Sequence, residues 1–115
     1  MAFRLAFSAA AERDLSLIFD HLFDSYCSFG ESPGEAVSHA AERVRSIRGS
    51  ADRICIAPDR GTKRDDIFSG LRHLTIERAI FWYEIDDSEA VVRVLAVFFG
   101  GQDHIRRMML RLLER

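Results

Sequence analysis

"LRHLTIERAIFWYEIDDSEAVVRVLAVFFGGQDH", residues 71–104, decides the fold. Three runs, 71–76, 79–85 and 91–99, are rich in the β-branched and aromatic residues that fit a pleated surface. Only Glu77-Arg78 and the stretch 86–89 separate them, which is short enough for consecutive antiparallel hairpins. The run 91–99 is apolar at nearly every position, so both its faces are covered and it lies inside the sheet. After it, Gly100-Gly101 give the backbone freedom for a sharp turn. Asp103 is suited to cap a helix, with His104 as its first residue.

Working outward, the tail 103–115 returns to helical spacing, with Ile105, Met108, Met109, Leu112 and Leu113 on one side and Arg106, Arg107 and Arg111 on the other. At the front, residues 3–7 alternate briefly as a short strand does. Ser8 then caps a helix whose apolar stripe is Ala11, Leu15, Ile18, Phe19, Leu22, Phe23 and Tyr26, while Glu12, Asp14, Asp20 and Asp24 take other faces. Ser32-Pro33 and Glu35 announce a second helix through an N-cap, a proline at the first position and a capping box. Its apolar face is Val37, Ala40, Ala41, Val44 and Ile47, and Gly49 is the expected stop. The short link between the helices makes them an antiparallel hairpin. Residues 58–70, charged and holding two glycines, read as a surface loop. The expected architecture is α+β: strand, antiparallel helical hairpin, three-stranded antiparallel meander and C-terminal helix, in two layers, as one domain over residues 1–115.

Composition narrows the function. The net charge of -2 over 115 residues gives no global field for a polyanion, so no stable direct nucleic-acid binding is expected outside a local patch. Lys63 is the only lysine, and arginine is the better residue for planar, bidentate contacts. Cys27 and Cys55 are too few and too far apart for a zinc motif or a disulfide framework, and are expected to be reduced and mostly buried. No apolar run approaches the roughly 20 residues of a membrane span, and the apolar part of residues 1–14 is too short for a signal peptide. A cytoplasmic protein is expected, with no cofactor and no metal.

The histidines offer little chemistry by position. Asp103-His104 are neighbours at a helix start, where side chains rarely face each other, and no serine or cysteine nucleophile stands beside them. His21 and His39 lie on helices with nothing to pair them. His73 follows Arg72 on a strand, so the two belong to one basic patch. A Gly-Gly-Gln loop also serves peptidyl-tRNA hydrolysis in release factors, but those domains share little else with this chain, and Gly100-Gly101-Gln102 reads as a turn.

Several of these residues fall into a pattern. Pro58, Gly61, Arg64, Gly70, Leu71, Arg72, Arg78, Phe81, Trp82, Tyr83, Val94, Gly100 and Asp103, with Asp14-Leu15 and Ile18 in the first helix, resemble the ParE family of the RelE/ParE toxin superfamily over nearly the whole chain. Two positions depart: Thr62 stands where an Arg usually follows the loop glycine, and Phe99 where a His often precedes the turn glycine. The resemblance implies the toxin of a type II toxin–antitoxin system, which poisons DNA gyrase by binding, traps the cleaved enzyme–DNA complex and is neutralised in a hetero-oligomer by a ParD-like antitoxin. Such a protein needs a surface rather than a catalytic set. The candidates for target binding are Arg72, Arg78, Trp82, Phe98, Phe99, Arg106 and Arg107, arginines and aromatics being the residues that dominate binding hot spots. Phe19, Phe23, Tyr26 and Phe29 exceed what one helical face needs and are the candidates for antitoxin binding in an apolar groove. The competing reading is a RelE-like ribosome-dependent mRNA endoribonuclease using Arg72, His73 and Arg78. Against it, Phe98 and Phe99 at the end of the last strand cannot transfer protons.

Overall fold

A computed structural model describes residues 2–100 and 103–114. In chain order the elements are β1 (Arg4–Phe7), α1 (Ala9–Ser28), α2 (Pro33–Ser50), α3 (Asp52–Ile56), a 3-10 turn (Pro58–Arg60), β2 (Thr62–Lys63), β3 (Arg72–Ile76), β4 (Ala79–Asp86), β5 (Val91–Phe99) and α4 (His104–Leu113). The sheet order is β1-β5-β4-β3-β2. The meander β3-β4-β5 is antiparallel, and β5 is internal, as its two apolar faces require. Its other neighbour is β1, which runs parallel to it with Arg4 opposite Val91 and Phe7 opposite Val94.

The helix starts follow their caps. The Ser8 hydroxyl accepts the Ala11 N–H at 3.0 Å. At Ser32 the capping box closes, its hydroxyl accepting the Glu35 N–H at 3.2 Å while the Glu35 carboxylate accepts the Ser32 N–H at 3.0 Å. Gly49 does not stop α2, which runs to Ser50 and continues after Ala51 as α3. A glycine inside a helix costs only about 1 kcal/mol, and fully burying an isoleucine such as Ile54 just beyond it contributes about 1.5–3 kcal/mol. Ala36 rather than Val37 completes the buried face of α2; Val37 is 46% exposed.

The helical hairpin covers one face of the sheet. Leu15, Ile18, Leu22 and Ile47 pack there on Phe81, Tyr83, Val92, Val94 and Val97. Strand alternation sends Ile80, Trp82, Ala96 and Phe98 to the opposite face, where they form a second, smaller core with Leu71 and Met108. Segment 58–70 is therefore not wholly a surface loop: Pro58 and Gly61 are buried, and Ile67 and Phe68 border the second core. The apolar face expected of the C-terminal helix is also only partly used, with Met108 buried, Leu112 half-buried, and Ile105, Met109 and Leu113 exposed.

One buried carboxylate explains how α4 sits. Tyr83 pairs with Val94 and Trp82 with Ala96, leaving Leu95 as an extra residue in β5, a bulge that bends the strand. Beside it Asp14, only 4% exposed, accepts the Val97 N–H at 2.9 Å and a bidentate pair from Arg111 at 2.9 and 2.6 Å. Arg111 also donates to the Leu95 carbonyl at 3.4 Å. Asp14 thus lies inside rather than on an outer face of α1, and joins α1, β5 and α4. Asp103 precedes α4 but does not cap it through its side chain. Its φ of 58° is left-handed, whereas a capping side chain works from extended backbone. Gly101 and Gln102, the rest of the expected turn, lie outside the described residues. Cys27 and Cys55 are free thiols, half-buried rather than mostly buried. Among the described residues no helix is long and apolar enough to cross a membrane.

Candidate functional site

The residues that carry the ParE resemblance converge first on a structural node. The Tyr83 hydroxyl donates to the Pro58 carbonyl at 2.5 Å and accepts the Gly61 N–H at 3.1 Å. Burial pushes the Tyr83 phenol above its ordinary value. Arg72, opposite Tyr83 in the sheet, donates to the Asp59 and Gly61 carbonyls at 3.1 and 3.0 Å and lies 3.6 Å from the Asp59 carboxylate. Its donors hold the loop in place. Arg72 therefore does not join His73 in one basic patch, because adjacent strand residues face opposite sides of the sheet.

On the second face, three rings gather. His73 lies 4.6 Å from Trp82, its cross-strand partner, and 5.0 Å from His104, while Trp82 and His104 are 5.5 Å apart. His104 is thus drawn into a cluster that its position after Asp103 gave no reason to expect. Burial, first, and the nearby charge of Arg64 lower the basicity of both imidazoles, and His73 is lowered further by His104. The His104 Nδ1 and Trp82 Nε1 are buried without a hydrogen-bond partner among the described residues. Protonation is therefore disfavoured in the folded chain. Because the folded pKa values lie below the ordinary 6.5, the unfolded chain takes up protons first as pH falls. Stability is full above about pH 6.5 and declines below it. A denaturation series from pH 8 to pH 5 should show this decline, and His104→Gln should flatten it; an unchanged slope in that variant would assign the decline elsewhere.

At the end of β5, arginines gather on aromatic faces. The half-buried Phe99 has the Arg43 guanidinium 5.6 Å and the Arg78 guanidinium 5.5 Å from its ring centre. Phe98 is buried, with Arg107 at 4.4 Å and Arg111 at 5.5 Å. A guanidinium stacked on a ring keeps its in-plane N–H groups available to a partner. Arg43, Arg78 and Arg107 make no ion pair among the described residues. A cleft of about 290 Å³ opens beside them, lined in part by Leu17, His21, Phe99 and Arg107. Of the target-binding candidates, Arg78, Phe99 and Arg107 share this corner, and Arg106 is exposed on α4. Trp82 and Phe98 are buried and offer no side-chain surface. Arg43, from α2, joins the corner without having been a candidate, since its position on a helix says nothing of a strand end.

The antitoxin candidates form a graded surface along the hairpin. Phe19, Phe23 and Tyr26 are half-buried, and Phe29, at the hairpin tip, is 87% exposed. His39 is not unpaired: it stacks on Tyr26 at 3.7 Å and meets the Glu31 carboxylate at 2.9 Å. Among the described residues no three His, Cys, Asp or Glu side chains come together as metal ligands.

No protein-family model matches the sequence, and no curated protein matches it. Solved structures do. One is a chain of the chromosomal ParDE TA system from P. aeruginosa, with a TM-score of 0.63 and 19% identity, covering 87% of this chain and 98% of that one. Another is a chain of the toxin–antitoxin complex RelBE2 from Mycobacterium tuberculosis, with a TM-score of 0.57 and 17% identity, covering 86% and 92%. The strand, helical hairpin, meander and closing helix of this chain are those of the RelE/ParE fold.

Proposed function

We propose that this chain is the toxin of a type II toxin–antitoxin pair, that it acts by binding DNA gyrase, and that a ParD-like antitoxin holds it inactive. The observation that carries the reading is the arginine–aromatic corner at the end of β5, on a fold whose match spans 98% of the ParDE chain. Its exposed guanidiniums on aromatic supports suit a protein interface, while Arg72, Trp82 and Tyr83 are occupied in holding the fold. The exposed Phe29 and Val37, beside Tyr26 and Phe23, supply the apolar side on which an antitoxin segment would fold. The reading needs no cofactor or metal and places the protein in the cytoplasm with its target.

Purified gyrase tests it. Supercoiling should be inhibited, with cleaved plasmid accumulating, and the double variant Arg78→Glu/Arg107→Glu should need at least about tenfold more protein for the same effect. Full supercoiling at micromolar protein would reject the gyrase reading.

The pair His73 and His104 favours a second reading, a RelE-like mRNA endoribonuclease. Two imidazoles that stay neutral near pH 7, at 5.0 Å, include one able to accept a proton and one able to donate. Arg64, whose charge reaches both, takes the place expected for Arg72 and Arg78. Cut mRNA on translating ribosomes, lost in His73→Ala/His104→Ala, would select this reading over gyrase.

A further inference from the structure

Four large apolar side chains stand exposed on the ten residues of α4: Ile105 at 38%, Met109 at 49%, Leu110 at 45% and Leu113 at 81%. They border a groove of about 630 Å³. The helix cannot roll to bury them, because the bidentate Asp14–Arg111 pair fixes its rotation and points Met108, not Met109, at the sheet.

We propose that this face pairs with the same face of a second copy of the chain, the two α4 helices running antiparallel about a twofold axis at Met109. The spacing is self-complementary. Ile105, Met109 and Leu113 form one i, i+4, i+8 row, so antiparallel pairing sets Ile105 on Leu113 twice and Met109 on its own copy, an isologous contact.

The charges agree with that direction. The first turn of α4 holds no acidic residue and its Asp103 makes no side-chain cap, so the positive end of the helix is unanswered. The other end finishes at the exposed Glu114. Antiparallel pairing brings each Glu114 to the start of the other α4 and onto the same flank as Arg106, which is exposed and makes no ion pair among the described residues. Arg107 and Arg111 lie on the side turned to Phe98 and Asp14, away from the contact. A parallel pairing would instead set Arg106 against its own copy. A single helix of this length, about 15 Å, covers less than the roughly 800 Å² per partner of a standard interface, so the association is weak and reversible.

The test is sedimentation velocity on the full chain from about 5 to about 500 µM, the range for an interface of that class. A monomer–dimer equilibrium is expected. Met109→Lys sets two like charges across the axis and should weaken it at least roughly tenfold. Arg106→Glu should weaken it as well, and adding Glu114→Arg to that variant should restore it, which no general surface stickiness would do. Because the row is exposed, each variant should keep the far-UV spectrum and melting temperature of the parent. A monomer at every concentration, a dimer indifferent to Met109→Lys, or a charge swap that restores nothing would overturn the proposal. Binding of the Met109 face to an antitoxin by a chain that stays monomeric would give the face a different occupant and overturn it too.

Discussion

Arg111→Ala should lower the stability of the folded chain by about 3 kcal/mol, because it leaves the Asp14 carboxylate buried with only the Val97 N–H. For a domain of this size that is a drop of roughly 10–15 °C in melting temperature. The loss comes less from the attraction forfeited than from the charge stranded inside. The double replacement Asp14→Leu/Arg111→Met, which removes both charges and keeps apolar volume, should therefore recover most of it. Thermal and urea denaturation of the three proteins decide the matter. If Arg111→Ala melts with the parent, the pair does not anchor α4.

Gly61→Ala should be nearly as damaging, and for a different reason. The backbone at Gly61 is ordinary; what excludes a side chain is Tyr83, whose hydroxyl oxygen would lie 2.2 Å and ring Cζ 2.9 Å from the new methyl. The expected cost is about 2–3 kcal/mol. Tyr83→Phe alone should cost about 1–3 kcal/mol, since it leaves the buried Pro58 carbonyl and Gly61 N–H without their partner. Combined, the two should fall short of their sum by at least about 1 kcal/mol, because the first vacates the nearest atom that the second strikes. Strict additivity in urea denaturation would mean that the hydroxyl and the glycine do not constrain one another.

Those two nodes also mark where the sequence could and could not be read. The meander was legible because strand period and turn length are local properties of residues 71–99, and the helix starts because Ser8 and Ser32 act within three residues. Pro58, Gly61, Arg72 and Tyr83 were visible as a pattern, but only their geometry assigns Arg72 to the loop rather than to a target. Asp14 carried a signal that charge concealed: it stands three residues after Ala11 and four before Ile18, within the buried stripe. Its partner Arg111 lies 97 residues away, and no local pattern joins them. The same holds for His73 and His104, and for Arg43 and Phe99, each pair brought together by the fold from separate elements. Burial of Trp82 and Phe98 was hidden for a related reason. An aromatic on an alternating strand faces one side or the other, and only the seat of α4 makes that side an interior.

The parallel pairing of β1 with β5 has a consequence for how the protein comes into being. Ser8 donates to the Leu95 carbonyl across 87 positions of the chain, so the first strand made waits for the last. At bacterial-to-eukaryotic synthesis rates of about 5–20 residues per second, that wait is roughly 4–17 s. During it the helical hairpin is present without the strand against which Leu15 and Ile18 pack, and the arginines of α2 lack Phe99. The nascent chain therefore holds none of its finished surface until translation is nearly complete, and activity begins as a single late event.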